Sequence, residues 1–269
     1  MAGWGPGRLM AAGKSLDYAC WGPAPDRAAT IVLLHEGLGC LELWRDFPEH
    51  LSRATGLGVV AFSRAGYGQS DPADLPRPLD YMTREAVEVL PRVLDALSLE
   101  RVILMGHSDG ATIAAEHAGR VEDFRVRGLI LMAPHFFAEP MGLTEIAKAR
   151  DAFDAGLRER MAKYHRDPDN AFLGWNGAWL DPGFRDWDVS DVIDYIRVPV
   201  LAIQGRDDQY GTLAQIEEIE GRSYAPVDML ILDDCRHAPH AEQPQAVIEA
   251  VAEFTARLIR IEDARVEVA

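Results

Sequence analysis

Short apolar runs recur along the chain and predict buried strands. Each run is rich in β-branched residues, is about as long as a typical strand, and is bounded by glycine, proline or charged residues. The runs are Thr30–Leu34, Gly58–Phe62, Arg101–Met105, Arg127–Met132, Pro199–Gln204 and Met229–Leu232.

Segments with helical periodicity lie between most of these runs, because their apolar residues recur at spacings of three and four. They are Trp44–Ala54, Tyr81–Leu97 (despite Pro91), Ala111–Ala118, Leu213–Ile219 and Gln245–Ile259. Strands that alternate with helices are typical of βαβ units and of a mainly parallel sheet with helices on both faces. The first 29 residues have weaker patterns and predict a hairpin at the edge of the sheet.

One interval interrupts this alternation. Residues 138–197 contain no strand-like run, but hold an amphipathic helical pattern at Leu143–Tyr164 and then an aromatic, acidic stretch. About sixty residues are too many for a simple connection in a compact fold. We therefore predict one domain, with a core formed by residues 1–137 and 198–269. Residues 138–197, the lid segment below, are predicted to form a helical lid inserted between two strands.

Composition and charge describe an ordinary globular protein. Hydrophobic residues make up 48% of the chain, and 27 Lys and Arg against 43 Asp and Glu give a net charge of −16. That apolar fraction excludes disorder as the main state. The negative charge argues against nucleic acid or an anionic membrane as the partner, since both require a basic surface. A small molecule is the expected partner, and the oligomeric state stays open, with a homodimer among the options.

Cysteine usage and the N-terminal pattern lead to an expected location in the cytoplasm. The three cysteines, Cys20, Cys40 and Cys235, are widely spaced and form no CxxC motif, which is typical of a reducing compartment. The N-terminus lacks the pattern of a signal peptide, and no apolar run approaches the length of a membrane helix. No group of ligand-type residues has the spacing of a metal site, so we expect neither a metal nor another cofactor.

The motif Gly106-His107-Ser108-Asp109-Gly110 carries the sharpest chemical signal. It follows the predicted strand Arg101–Met105 directly and precedes the predicted helix Ala111–Ala118. In that setting G-x-S-x-G is typical of a nucleophile elbow, in which a tight strand-to-helix turn presents a strained serine. A glycine-flanked serine in an ordinary loop is the alternative. We predict that Ser108 is a nucleophile.

A serine nucleophile needs a general base, which is itself oriented by an acid. Two later strands end in suitable residues: Pro199–Gln204 precedes Asp207 and Asp208, and Met229–Leu232 precedes His237 and His240. Both loops are predicted at the same sheet edge as the elbow. His237 is favoured as base because it lies nearer its strand end, whereas the residue pattern alone leaves Asp207 and Asp208 both open.

An oxyanion hole needs two backbone N–H groups. Asp109, directly after the nucleophile, is expected to supply one, and the glycine-rich loop His35–Gly39 the other. His107 lies inside the elbow and is expected to pack or hydrogen-bond locally, although its position also allows contact with substrate. His117 and His165 lie in predicted helical segments and are expected to be core or solvent-facing residues.

Taken together, these motifs resemble the α/β-hydrolase superfamily, in its serine esterase and lactonase branch with a helical lid. The matching pieces are His35–Gly39 with Trp44, Ser63–Asp71, Gly106–Gly110, Gly205–Asp208 and His237–Pro244, in the family's order. The resemblance implies an α/β-hydrolase fold, a mostly parallel sheet flanked by helices with a lid between two strands. It selects Asp208 as the acid and His237 as the base, although Arg236 replaces the family's usual glycine.

Two departures from the family pattern bear on the site. Glu36 replaces the usual glycine after His35, so the resemblance assigns the oxyanion N–H to Gly37 and places a carboxyl group nearby. Glu36 is expected to be a partner in a structural salt bridge, with substrate contact as the alternative. Ser63 replaces the usual acidic residue of the D-x-R-G-x-G-x-S segment.

The expected function is hydrolysis of a carboxylic ester or lactone of a small substrate, through an acyl-enzyme on Ser108. Trp175 and Trp179 of the lid segment are expected to line the substrate pocket, as is Trp187, although such aromatic residues also serve as packing. Alternatives are a thioesterase or C–C bond hydrolase with the same residues, and a catalytically silent protein that binds a small ligand.

Overall fold

A computed structural model describes residues 3–266. Within that range, eight strands form one sheet in the order β1-β2-β4-β3-β5-β6-β7-β8. The strands are β1 (Gly7–Ala11), β2 (Lys14–Trp21), β3 (Thr30–Leu34), β4 (Gly58–Phe62), β5 (Val102–His107), β6 (Val126–Met132), β7 (Val200–Gly205) and β8 (Val227–Leu232). All six predicted strands are present, with ends shifted by at most two residues.

The direction of the strands agrees with the prediction. β1 and β2 form the expected antiparallel hairpin, and β2 pairs antiparallel with β4. Every later pairing, from β4 through β3 and β5 to β8, is parallel. The carboxyl ends of the six parallel strands therefore lie along one edge of the sheet, where the loops that follow β3, β5, β7 and β8 meet.

The central strands are apolar at most positions because both faces of the sheet are covered. In β3, Ile31 and Leu33 pack with the helices on one face, whereas Val32 and Leu34 pack with those on the other. All of these side chains are fully buried. The sheet is thus the middle layer of three, which holds its carboxyl edge in a fixed position.

The helices connect the strands in the predicted alternation. They are α1 (Phe47–Thr55), α2 (Tyr81–Arg84), α3 (Leu90–Ala96), α4 (Asp109–Arg120), α5 (Pro140–Ala152), α6 (Arg158–Met161), α7 (Pro168–Trp179), α8 (Ala214–Arg222), α9 (Pro239–Glu242) and α10 (Pro244–Val266). Short 3₁₀ turns lie at Leu41–Trp44, Pro182–Phe184 and Ser190–Tyr195.

Two predicted helices are interrupted by a π-helical turn. In Tyr81–Leu97, the turn Glu85–Val89 separates α2 from α3, so Pro91 falls in the first turn of α3, where its missing N–H costs nothing. In Leu143–Tyr164, the turn Phe153–Leu157 separates α5 from α6, and Gly156 takes a left-handed φ of 109°. Periodicity did not reveal these breaks because a π turn shifts the repeat by only one residue.

Two smaller predictions were wrong. Trp44–Ala54 is not one helix, since Trp44 ends a 3₁₀ turn and α1 begins at Phe47. His165 does not lie in a helix, because α6 ends at Met161 and α7 begins at Pro168. Both errors come from apolar residues that keep a helical spacing across a turn.

The lid segment lies between β6 and β7. It contains α5, α6 and α7 and ends with the 3₁₀ turn Ser190–Tyr195, which leads into β7. An isolated antiparallel bridge between Phe137 and Asp188 closes its base. Side chains from α5 and α7 face the carboxyl edge of the sheet.

Candidate active site

Ser108 lies in a tight turn between β5 and α4. Its φ of 53° and ψ of −120° are a strained combination for a residue other than glycine, and its N–H donates to the carbonyl of Met132 at 2.9 Å. A Cβ on Gly106 would lie 2.2 Å from the carbonyl oxygen of Gly110, and a Cβ on Gly110 would lie 2.0 Å from that of Leu34. Both glycines are therefore required for the turn, which presents Ser108 at the N-terminus of α4.

His237 and Asp208 are in direct contact. His237 Nδ1 lies 2.8 and 2.9 Å from the two carboxylate oxygens of Asp208. The Tyr210 N–H and the Gln204 amide each donate to the same carboxylate at 2.8 Å. Asp207 is exposed and points elsewhere. Burial raises the pKa of Asp208, but the hydrogen bonds and charge of His237 outweigh burial and lower it overall.

The proton on Nδ1 of His237 is held by the Asp208 carboxylate, which leaves Nε2 as the unprotonated nitrogen of the neutral ring. The side chain of His237 is 13% exposed and that of Asp208 only 1%. The histidine thus reaches the cavity, whereas its acidic partner is covered.

A cavity of about 100 Å³ joins the elbow, the histidine and the lid segment. Its walls are Glu36, Gly37, Leu38, Ser108, Asp109, His135, Ile146, Trp175, Trp179, Tyr210 and His237. Trp175 and Trp179 both line the cavity, and the Trp175 indole packs directly on the backbone of Gly37. Trp187 does not line it; its ring stacks on Phe184, 4.9 Å between centroids.

The backbone N–H groups of Gly37 and Asp109 belong to this cavity wall. Within residues 3–266, neither donates a hydrogen bond to another protein group. Asp109 is the first residue of α4, where N–H groups have no partner inside the helix and the helix dipole favours negative charge. Both groups are available to an anionic oxygen in the cavity.

Glu36 and His107 form a partly buried ion pair beside Ser108. His107 Nδ1 lies 3.5 Å from Oε2 of Glu36, and His107 Nε2 donates to the His237 carbonyl at 2.6 Å. Burial lowers the pKa of His107, but Glu36 outweighs burial and raises it overall. Burial likewise raises the pKa of Glu36, but His107 and its neighbours lower it well below the usual range. His107 lies behind Glu36 and does not line the cavity in the described structure, whereas Glu36 does.

The ion pair predicts a pH-dependent stability. The raised pKa of His107 contributes stability that is complete below about pH 6.5 and is lost as the pH rises through the raised value. The lowered pKa of Glu36 contributes above about pH 4.3 and is lost on acidification. We expect Glu36→Gln to lower the free energy of unfolding by about 2 kcal/mol at pH 5.5 and by less at pH 9.

Denaturant unfolding at the two pH values measures this difference. Glu42→Gln, a change at an exposed glutamate of the neighbouring 3₁₀ turn, is the matched control and should change stability little at either pH. An equal loss for Glu36→Gln at both pH values would show that the pair is not ionic.

The structure supplies the carboxylate that the D-x-R-G-x-G-x-S segment lacks. Asp17, on β2, accepts hydrogen bonds from the hydroxyls of Ser63 at 3.1 Å and Ser70 at 2.6 Å. Ser63 Oγ in turn accepts from the N–H of Leu41 at 2.9 Å. The sequence offers no signal for this substitution, because Asp17 lies on a different strand.

The remaining histidines near the site are neutral packing residues. Burial lowers the pKa of His135 to about 3 and that of His240 to about 3. His240 packs on Trp44, 4.7 Å between ring centroids, and not on Asp208. His117 is a buried core residue that contacts the carbonyl of Ala86, in line with its predicted role.

Several cavity residues were not predicted from the sequence. His135, Ile146 and Tyr210 belong to three different loops and helices outside the motifs, whereas Leu38 lies in the His35–Gly39 loop but was not singled out. Among residues 3–266, no group of three or more His, Cys, Asp or Glu side chains is arranged to hold a metal ion. In the same range, no helix is long and apolar enough to cross a membrane.

Fold and site together define an α/β hydrolase. The chain belongs to the alpha/beta hydrolase family, whose model matches residues 31–250. This result confirms the family and the fold class predicted from the motifs.

Similar proteins include a chloroperoxidase, an esterase/perhydrolase and, among solved structures, an enol-lactonase. A non-heme chloroperoxidase from Streptomyces lividans is 27% identical over 229 residues, which cover 73% of this chain and 80% of that protein. A bifunctional esterase/perhydrolase from Acinetobacter calcoaceticus is 25% identical over 233 residues, with the same shares. The crystal structure of an enol-lactonase from Burkholderia xenovorans LB400 has a TM-score of 0.73 at 21% identity, over 93% of this chain and 100% of that one. Family membership and these relatives support a general hydrolase activity.

Proposed function

We propose that the protein is a serine hydrolase that cleaves a carboxylic ester or lactone of a small substrate. The observation that carries the proposal is the shared cavity wall of Ser108, His237, Gly37 and Asp109, with Asp208 hydrogen-bonded to the histidine. These are the parts required for acyl transfer: a nucleophile, a base, its orienting acid and two N–H donors.

Each of these groups has a defined role in the proposed reaction. Ser108 Oγ attacks the substrate carbonyl while His237 Nε2 takes the hydroxyl proton, and Asp208 stabilises the resulting imidazolium. The carbonyl oxygen becomes an oxyanion that accepts from the N–H groups of Gly37 and Asp109. The tetrahedral intermediate collapses, and the alcohol leaves with the proton from His237. A water molecule, deprotonated by His237, then attacks the acyl-enzyme. The second tetrahedral intermediate breaks its bond to Ser108 Oγ, which takes the proton back from His237 as the acid is released.

The charge in the cavity favours a neutral ester over an acyl-CoA thioester. Glu36 has 28% of its side chain exposed, lines the cavity and stays ionised, whereas no lysine or arginine side chain of the described residues lines the cavity. His107 neutralises part of that charge from behind. A polyanionic substrate would meet a carboxylate beside the oxyanion site, on a protein with a net charge of −16.

A fluorophosphonate probe and a substrate panel test the proposed function. The probe should label Ser108, located by mass spectrometry of the digested protein. The panel compares small esters, lactones, acyl-CoAs and vinylogous diketone ring-fission products. Failure of both labelling and ester or lactone turnover would favour a silent binding protein. A higher kcat/KM for acyl-CoAs or for diketones would favour the thioesterase or the C–C hydrolase.

The small cavity predicts a preference for short acyl groups. An apolar cavity of about 150 Å³ holds a benzene molecule, so about 100 Å³ accommodates only a few heavy atoms. We expect kcat/KM for acetate and propionate esters to exceed that for octanoate esters by about 100-fold or more, since only two methylenes that do not fit, at about tenfold each, already give that factor. Steady-state hydrolysis of a p-nitrophenyl ester series measures the ratio.

Ile146, on α5, is the residue that limits the acyl length in this arrangement. It is buried and forms part of the cavity wall, so Ile146→Ala should shift the preference towards longer chains by about tenfold. Leu173→Ala is the matched control, because Leu173 lies on α7 with its side chain exposed. An unchanged chain-length profile in Ile146→Ala would place the acyl group elsewhere.

A further inference from the structure

We infer that Arg64 is a positioning residue for both halves of the oxyanion hole. The inference rests on the proposed acyl-transfer function and concerns a residue outside the cavity wall. Arg64 belongs to the segment after β4, and its guanidinium reaches below the two loops that present Gly37 and Asp109. One atom of that group, Nη2, contacts both loops.

The first contact holds the peptide that carries the Gly37 N–H. Arg64 Nη2 donates to the carbonyl oxygen of Glu36 at 3.0 Å, and His35 Nδ1 donates to the same oxygen at 2.7 Å. That carbonyl and the Gly37 N–H belong to one planar peptide group and point in opposite directions. Two donors on the carbonyl therefore fix the direction of the N–H, and the charge on one of them polarises the peptide.

A further hydrogen bond fixes the histidine in this arrangement. The backbone N–H of Arg64 donates to Nε2 of His35 at 3.1 Å, so His35 carries its proton on Nδ1. Burial lowers the pKa of His35 well below its ordinary value, and the charge of Arg64 lowers it further. Arg64 thus acts on the Glu36 carbonyl with its guanidinium directly and with its backbone through His35.

The second contact holds the residue that follows the nucleophile. Arg64 Nη2 lies 3.8 Å from Oδ2 of Asp109. The same oxygen accepts from the Tyr81 hydroxyl at 2.5 Å, and that hydroxyl accepts from the indole N–H of Trp179 at 3.0 Å. The Asp109 side chain is therefore held by a cation and a phenol, which restrains the start of α4 where the Asp109 N–H lies.

Among residues 3–266, the Arg64 guanidinium makes no other hydrogen bond. Arg64 is 1% exposed, and its Nε and Nη1 have no hydrogen-bond partner in that range. A buried cation is costly unless it is paired. Burial opposes the charge, but Tyr67 and Asp109 outweigh burial and raise the pKa of Arg64, so it stays charged. The fold thus keeps a positive charge directly behind the two backbone N–H groups that would donate to an oxyanion.

Kinetics with a transition-state analogue test this role. Arg64→Met should lower kcat about 30-fold for a short ester, less than the 10²–10³ lost when an oxyanion donor is removed outright. KM should stay within about threefold, and the Ki of an alkyl boronic acid, which forms a tetrahedral adduct on the serine, should rise by the same factor as kcat falls. Arg64→Lys should recover part of both losses because it keeps the charge.

Arg77→Met is the matched control. Arg77 is another buried arginine of the same region. Its guanidinium donates to the carbonyl of Ala65 and packs over the rings of Tyr67 and Tyr81, but within residues 3–266 it makes no hydrogen bond or ion pair with Glu36, Gly37 or Asp109. Its kcat should stay within about threefold of the wild type. Equal losses of kcat in Arg77→Met and Arg64→Met, or an unchanged boronic-acid Ki in Arg64→Met, would overturn the inference.

Two further variants separate a failure of this inference from a folding defect and from a failure of the proposed function. If Arg64→Met does not fold, Arg64→Lys carries the test alone, with a loss of kcat and of boronic-acid affinity of about fivefold expected and an unchanged Ki as the contrary result. Ser108→Ala separates this inference from the proposed function. An active Ser108→Ala would refute acyl transfer itself, whereas an inactive Ser108→Ala with an unaffected Arg64→Met would refute only the role of Arg64.

Discussion

Ser108→Ala is expected to lower kcat for a confirmed ester substrate by about 10⁴-fold or more. The reason is the loss of the only atom that can form the acyl-enzyme, since alanine has no Oγ. The fold should be unchanged, because the Ser108 side chain contributes little to packing whereas its backbone N–H continues to bind the Met132 carbonyl. Steady-state kinetics and far-UV circular dichroism measure the two quantities.

Thr112→Ser, four residues along α4, is a suitable control. Thr112 is fully buried, and its hydroxyl donates to the carbonyl of His135 at 2.7 Å, a bond that serine retains. Activity close to the wild-type value is expected for this variant. If Ser108→Ala turned over the substrate at an undiminished rate, then the chemistry would not proceed through this serine.

Asp208→Asn is expected to lower kcat by about 10³- to 10⁴-fold. Asparagine fits the same space, but it is neutral and does not stabilise the imidazolium, and its NH2 group can donate to Nδ1 of His237 where the carboxylate only accepts. The histidine would then be free to take the wrong tautomer. The loss should appear in kcat far more than in KM, because the charge on His237 develops only as the serine attacks.

Asp207→Asn is the matched control for this prediction. The two aspartates are adjacent, but Asp207 is exposed and only Asp208 contacts His237. We expect Asp207→Asn to keep kcat within about twofold of the wild type. A larger effect for Asp207→Asn than for Asp208→Asn would contradict the geometry of the site.

The fold was predictable because its signals are local. A strand covered on both faces is apolar at nearly every position, as in Ile31–Leu34, and a helix with one covered face repeats every three to four residues. The lid segment was found by the same reasoning, from the absence of such runs over residues 138–197. Local signals fail where a turn keeps the spacing, which explains the missed π turns and the position of His165.

The residues of the candidate site could be predicted where they directly follow a strand. Ser108, Asp208 and His237 each follow a predicted parallel strand, and the carboxyl ends of parallel strands share one edge. The choice between the adjacent residues Asp207 and Asp208 could not be predicted in this way. Nothing in the pattern separates Asp207 from Asp208; the family resemblance favours Asp208, and in the structure Asp208 is the one that contacts His237.

The sequence by itself determined the mostly parallel sheet, the strand-to-helix turn at Ser108, the position of Asp208 and His237 after two later parallel strands, and the strand-free interval of residues 138–197. Only the tertiary structure decided that Glu36 pairs with His107 and that Asp17 replaces the acid missing at Ser63. It also decided that Arg64 lies behind both oxyanion loops. The physical reason is that periodicity and turn chemistry act between neighbours in the chain, whereas ion pairs and cavity walls join groups that lie far apart in it. Such pairings arise only when the packed layers bring those groups together.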